Sequence, residues 1–304
     1  TTYYHIFTMF ILVCQFLTMY IYILFICVYL YRFSFKFVRR RPYRFGNIVA
    51  TMIAITLTIS GFYSHYNKKE VVYHVTVPKT SSVSQLKICL VSDLHLSSGT
   101  YMRQVRKLVK KVNEKHYDLV CFAGDVFDEN TPDELMNRSL QEFKNMKSTY
   151  GTYWISGNHE YYGKHTDFTV FKKYNIHFLK NTYETVDNTF NIVGFTDKTS
   201  HDHYEINKVI EGMDTSLPTI TLDHNPERFD QHTYFTDLQL SGHTHNGQIF
   251  PGNIILHYYY QNSYGLSRYK NHYLLVSGGY GSWGFPFRLG TQCEYDTVYL
   301  KMRK

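Results

Sequence analysis

The first seventy residues lack the short alternation of apolar and polar positions that marks the rest of the chain. From Ile6 to Leu30 the sequence IFTMFILVCQFLTMYIYILFICVYL carries no charge. At ~1.5 Å of rise per helical residue, that length crosses a hydrocarbon core of ~30 Å. A second uncharged stretch, Ile48 to Tyr66, is interrupted by Thr, Ser and Gly61. It is expected to be a second span, with re-entrant or interfacial placement as the alternative. From Val71 the texture changes. Gln85–Ser92, Asp118–Ala123 and Thr152–Ser156 are short apolar runs of strand length. Between the first two, Tyr101–Lys115 puts Val105, Leu108, Val109 and Val112 on one helical face. Pro132–Met146 reads as another helix, with Pro132 near its first turn. Strand and helix in alternation predict an α/β sheet, with ligand sites at the carboxyl ends of its strands. Phe190–Phe195, Thr219–Leu222, Asp237–Leu240 and Leu274–Ser277 read as later strands with fewer helices between them.

Charge sharpens this division. The formal charge of +7 resides in residues 1 to 70, where Arg32, Lys36, Arg39, Arg40, Arg41, Arg44, Lys68 and Lys69 face one acid, Glu70. The remainder carries 24 basic and 24 acidic residues, so it lacks the basic excess of a phosphate-backbone binder and no nucleic-acid partner is expected. Residues 1–70 are therefore read as a membrane anchor with spans at about 6–30 and 48–66 and a basic loop at 32–47, and 71–304 as the functional domain. Basic loops favour the cytoplasmic side, so two spans put the domain outside the cytoplasmic membrane; one span puts it inside. Five cysteines in 304 residues make no disulfide framework and read as free thiols.

The candidate chemistry lies at the predicted strand ends. Asp93-Leu94-His95, Gly124-Asp125-Val126-Phe127-Asp128, Gly157-Asn158-His159-Glu160, Asp223-His224-Asn225-Pro226 and Gly242-His243-Thr244-His245 follow one another in that order. Carboxylates, an amide oxygen and imidazoles suit Mn, Fe or Zn and not a thiolate site. Singly these clusters mean little; five in order at strand ends point to a metal centre.

This set resembles the calcineurin-like metallophosphoesterase superfamily, over roughly Gln85 to Lys304. His243–Gln248 and Ser277–Gly290 (SGGYGSWGFPFRLG) are further similar to a bacterial subgroup of membrane-anchored phosphoesterases. The resemblance implies a two-sheet α/β sandwich flanked by helices. It implies that Asp93, His95 and His245 hold a first divalent metal, that Asn158, His224 and His243 hold a second, and that Asp125 bridges them. His159 would face the leaving oxygen, oriented by Asp128, while Glu160 receives no step. Two divalent ions about 3.5–4 Å apart acidify water and neutralise phosphate charge, so metal-dependent hydrolysis of a phosphodiester or other phosphoester is expected. Tethering suggests a lipid or cell-envelope substrate; a UDP-acylglucosamine-type lipid pyrophosphatase, or a tethered binding protein with a vestigial site, are the alternatives. Arg288 is read as a phosphate contact or a salt-bridge partner, and Gly278–Gly281 as a loop at the site mouth. His201 and His203 are read as a solvated loop, and Trp283, Phe285 and Phe287 as a lipid contact or as core.

Overall fold

A computed structural model describes residues 43–97, 102–163 and 168–303, with 14, 18 and 20–25 of a helical stretch before them. Helix α1 (Tyr43–Tyr66) leads into strand β1 (Lys69–Thr80), β2 (Gln85–Val91), α2 (Met102–Lys115), β3 (Leu119–Ala123), α3 (Asp133–Phe143), β4 (Thr152–Ile155), α4 (Asn158–Tyr162), β5 (Ile176–Phe178), β6 (Thr182–Val186) and β7 (Phe190–Gly194). There follow β8 (Thr219–Leu222), β9 (Leu238–Ser241), α5 (Gly252–Tyr259), β10 (Gly265–Tyr269), β11 (His272–Val276) and β12 (Glu294–Arg303), with short helical turns between.

Two six-stranded sheets result, ordered β1-β12-β2-β3-β4-β5 and β10-β11-β9-β8-β7-β6. Parallel pairing runs through β2-β3-β4-β5 in the first and β7-β8-β9-β11 in the second. Both faces of β2, β3 and β4 are buried, which is why these strands read as continuous apolar runs. Leu86, Ile88 and Leu90 of β2, Leu119 and Cys121 of β3, and Ile155 of β4 join Ile192, Leu222 and Leu240 between the sheets. The alternate residues Cys89, Val91, Val120, Phe122 and Trp154 face the other way, onto α2 and α3. That is the period-two pleat acting on one sequence. Helix α2 answers with Met102, Val105, Leu108, Val109 and Val112 buried, a stripe at helical spacing. Each such side chain contributes about 1.5–3 kcal/mol on burial.

The expected first span, Ile6–Leu30, lies outside the described residues except at 14, 18 and 20–25. Among the described residues no helix is long and apolar enough to cross a membrane. Helix α1 covers Ile48–Tyr66, with Thr51, Thr56, Thr58, Ser60 and Ser64 among its residues. Its last turns also belong to the packed unit. Phe62 sits edge-on to Phe285 and Phe287 at 5.8 and 5.5 Å. Arg288 N donates to Gly61 O at 3.0 Å, and Cys293 N to Ser64 O at 3.2 Å. Buried His65 meets Ser282 Oγ at 2.8 Å. Strand β1 then begins at Lys69 and pairs in parallel with β12.

Candidate metal centre

Every residue singled out at a strand end arrives at one edge of the sandwich. Asp93 and His95 follow β2, Asp125 follows β3, and Asn158 and His159 open α4 just after β4. From the second sheet, His224 follows β8, and His243 and His245 follow β9. Asp93, His95 and His245 place one ligand atom each within 4.8 Å of one another, and so do Asp125, His224 and His243. His95 and Asp125 form a further such group with His159.

The backbone turns sharply to achieve this. Asp93, His95, Asp125, His243 and His245 all have positive φ, between 50° and 72°. For residues other than glycine that conformation is uncommon and costs of order 1–3 kcal/mol, and it clusters at functional sites. Gly157 supplies space: a Cβ there would stand 2.2 Å from Asp125 Oδ1. Glu160, buried beneath these loops, accepts from the backbone N–H of Asp125, Val126, Phe127 and Gly157 at 2.7–3.0 Å. It ties the loop after β3 to the loop after β4, a structural task that its motif position did not disclose.

The ring orientations fit cation binding. His224 Nδ1 lies 2.7 Å from Ala123 O, which can only accept, so Nδ1 carries the proton. Its buried Nε2 has no hydrogen-bond partner and faces Asp125 Oδ2 at 3.1 Å. A lone pair opposite a carboxylate is resolved by a proton or a metal. His95 Nδ1 likewise donates to Asp128 Oδ1 at 2.6 Å, which turns Nε2 toward His245 Nε2 at 2.9 Å. A metal-ligating histidine usually gives its other ring N–H to a carboxylate or carbonyl in this way. Asn158 Oδ1 and His243 Nδ1 face each other at 2.9 Å, and His245 Nε2 is 3.4 Å from Asp93 Oδ1.

Electrostatics mark where positive charge is wanted. Burial lowers the His95 imidazole, but its hydrogen bond to Asp128 and the charges of Asp128, Asp125 and Asp93 outweigh this and raise it to about 9. Burial also opposes charge on His224, yet Asp125 pulls it well above the ordinary range. Asp125 itself is pushed up by burial and, more strongly in sum, down by His224, His95 and His159. His243 and His245 are lowered, first by burial and then by neighbouring cations.

Three details depart from the sequence reading. Asp128, expected to orient His159, makes its short contact with His95 and stands 3.5 Å from His159 Nδ1. The carboxylate at His159 Nδ1 is Glu129, at 2.9 Å, and its only sequence signal was adjacency to Asp128. Arg288, fully buried, makes no salt bridge of the expected kind: Nη1 donates to His245 O at 2.7 Å, Nη2 lies 3.0 Å from His245 Nδ1, and Nε donates to Ser282 Oγ at 3.2 Å. It supports a site histidine from behind. The Gly278–Gly281 run also lies behind the site, because Tyr280 N and Gly281 N donate to Ser92 O and Asp93 O at 2.8 and 2.7 Å. Phe285 and Phe287 are core, whereas Trp283 is exposed and its ring centroid is 6.2 Å from that of His159. His201 and His203 lie exposed in a loop, outside these ligand groups.

Comparison with known proteins agrees with this geometry. The family model described as calcineurin-like phosphoesterase matches residues 86–247, which contain all five clusters. An uncharacterized metallophosphoesterase of Helicobacter pylori J99 is 34% identical over 226 residues, 72% of this chain and 60% of that protein. One from Aquifex aeolicus is 30% identical over 79% of this chain and 96% of its own length. A Bos taurus protein named transmembrane protein with metallophosphoesterase domain is 29% identical over 72% of this chain and 54% of its own. The chain thus spans well under two thirds of some of the relatives it matches. From Leu86 to Gly247, the strand-end clusters and the sandwich that gathers them make this chain a member of the calcineurin-like phosphoesterase family.

Proposed function

We propose that the chain hydrolyses phosphoester bonds with the help of two divalent cations. Asp93, His95 and His245 would hold one cation and Asn158, His224 and His243 the other, with Asp125 available to either. Bound there, such cations supply Lewis-acid charge for the phosphate oxygens and acidify the attacking water. The observation that carries this reading is the orphaned, buried Nε2 of His224 facing Asp125, in a cluster of donors drawn from five separate loops.

The chain's own groups do the rest. Asp128 fixes the His95 ring through Nδ1. His159 is held through its backbone N–H by Asp125 Oδ1 at 2.8 Å and through Nδ1 by Glu129. That carboxylate orients the ring, so His159 would serve beside the leaving oxygen as a proton donor. The substrate we favour is a phosphodiester in a lipid or envelope molecule, with residues 6–30 as the anchor. Two facts support that choice: the uncharged run Ile6–Leu30, and the transmembrane name of the Bos taurus relative.

The test is turnover of bis-p-nitrophenyl phosphate and p-nitrophenyl phosphate by the full chain in detergent, with Mn²⁺ or with chelator. Metal-dependent turnover that Asp125→Asn abolishes is expected, with the diester the faster substrate. Metal-independent turnover, or full activity in the variant, refutes the mechanism.

A further inference from the structure

Apolar residues belong inside, so a cluster of them left outside beside a polar site is informative. The loop that leaves His245 carries Phe250 and then α5, whose Ile254, Ile255, Tyr258 and Tyr259 are exposed, the two tyrosines at 85% and 79%. Trp283 joins them at 58%. From Leu238 to Ser267 the sequence contains no Asp, Glu, Lys or Arg, so nothing on this segment makes the patch a solvated, charged face.

The patch is locked to the catalytic edge. Gln248 Nε2 donates to Trp283 O at 3.0 Å, and Trp283 N donates to Gln248 Oε1 at 2.9 Å. Gly252 N donates to Ile249 O at 2.7 Å, and a Cβ on Gly247 would stand 2.1 Å from Asn253 N. Helix α5 is therefore seated directly on the turn that carries His245. Trp283 and Tyr162, both exposed, flank His159 with ring centroids at 6.2 and 5.3 Å. On its other side the patch runs into α1: Ile249 packs with Phe285, Phe287 and Leu289 against Leu57 and Phe62. Beyond that contact α1 exposes Ile48, Met52, Ile53 and Ile59.

We propose that this surface, formed by Phe250, α5 and Trp283, docks into the interfacial zone of a lipid bilayer and holds the mouth of the metal centre against the membrane. Ile249, just before α5, shares one apolar cluster with Leu57 and Phe62 of α1. The sequence before α1 supplies an uncharged run of membrane-crossing length and then five basic residues with no acid, complementary to anionic headgroups. The exposed Tyr and Trp are the amphipathic aromatics that favour the headgroup level. A phosphoester in the headgroup layer would then enter past Trp283 and Tyr162, with His159 between them. This rests on the anchored phosphoesterase reading, but it can fail separately.

The chain has two tryptophans, and Trp154 is fully buried against Phe122, so Trp283 is a built-in reporter. The full chain is reconstituted into phosphatidylcholine–phosphatidylglycerol vesicles with or without brominated acyl chains. Expected is loss of at least half of the Trp283 emission in brominated vesicles, absent in Trp283→Phe. Ile254→Asp combined with Tyr258→Asp relieves the quenching. In that variant turnover of a vesicle-borne phospholipid diester falls at least tenfold, while turnover of bis-p-nitrophenyl phosphate is unchanged. A chain that floats with the vesicles but shows no quenching overturns the docking and leaves the anchor standing. One that neither floats nor is quenched overturns both. An unquenched dimer that the double variant converts to monomer assigns the face to a second copy and overturns the proposal. Quenching with turnover of the soluble diester only upholds the docking and removes the lipid substrate.

Discussion

The two sheets contribute differently to the centre. The first delivers oxygen donors and one imidazole: Asp93, His95, Asp125 and Asn158, from loops tied together beneath by Glu160. The second delivers imidazoles only, His224, His243 and His245. Two of the ligand groups draw on both sheets. Asp93 and His95 need His245, and Asp125 needs His224 and His243. The negative charge sits on one layer and the rings that complete each site on the other, so the centre exists only when the layers are packed in register. Packing between the sheets should then be coupled to metal binding, and packing on the outer helices should not.

The sharpest way to break that comparison uses two buried leucines. Leu240 packs between the sheets and Leu108 under α2. Each Leu→Ala change is expected to cost about 2–5 kcal/mol, read from denaturant unfolding. Only Leu240→Ala should also weaken metal binding, measured by titration of the apo chain at a temperature where both variants are folded. Equal affinities would show that the layers are rigid independently of each other. Removing the metal probes the same coupling from the other side. With cation at about 100 times its Kd, the loaded protein should be stabilised by about 2.7 kcal/mol over the chelated one. Calorimetry should show that gain vanish in His224→Ala.

Within the first sheet, Asp128 and Glu129 separate two roles that adjacency conceals. Asp128→Asn disturbs the ring of a metal-facing histidine, and a loss of roughly 10–100-fold in metal affinity is expected. Glu129→Gln should leave affinity intact and lower kcat, because its carboxylate contacts His159. Identical phenotypes would erase the distinction.

The smallest effect concerns Lys68, whose Nζ is out of contact with solvent and stands 5.2 Å over the Tyr280 ring. Burial lowers this lysine from 10.5 to about 8. Between those values the unfolded chain holds a proton that the folded chain has shed. Stability should therefore rise with pH across that window, by roughly 1 kcal/mol per unit, and level off below it. Melting curves of the metal-loaded protein at pH 8 and 9.5, compared with Lys68→Met, would check the sign.

Much of this was legible in the sequence where a local signal existed. The strands β2, β3 and β4 are buried on both faces, so each is an apolar run that ends at its ligand, and α2 shows its stripe directly. Strand β1 was not legible. Its KEVVYHVTVPKT alternation is half exposed, and it exists by pairing in parallel with β12, more than two hundred residues away. No local pattern encodes such a partner. The short strands β5, β6 and β10 are partly exposed and carry equally little signal. In the site, the residue types gave the candidates, but the partners of Asp128, Glu160 and Arg288 come from tertiary packing. Helix α1 is visible as an uncharged stretch, but the burial of His65 and of its last turns inside the domain comes from tertiary packing.

The arginine behind the site has one more consequence. Its amide donates to Gly61 O of α1, and its guanidinium grips His245. A single residue thus connects α1 to the candidate metal centre. A tilt of α1, however caused, would be passed through this residue to His245, so the placement of that helix and the alignment of the centre are mechanically joined.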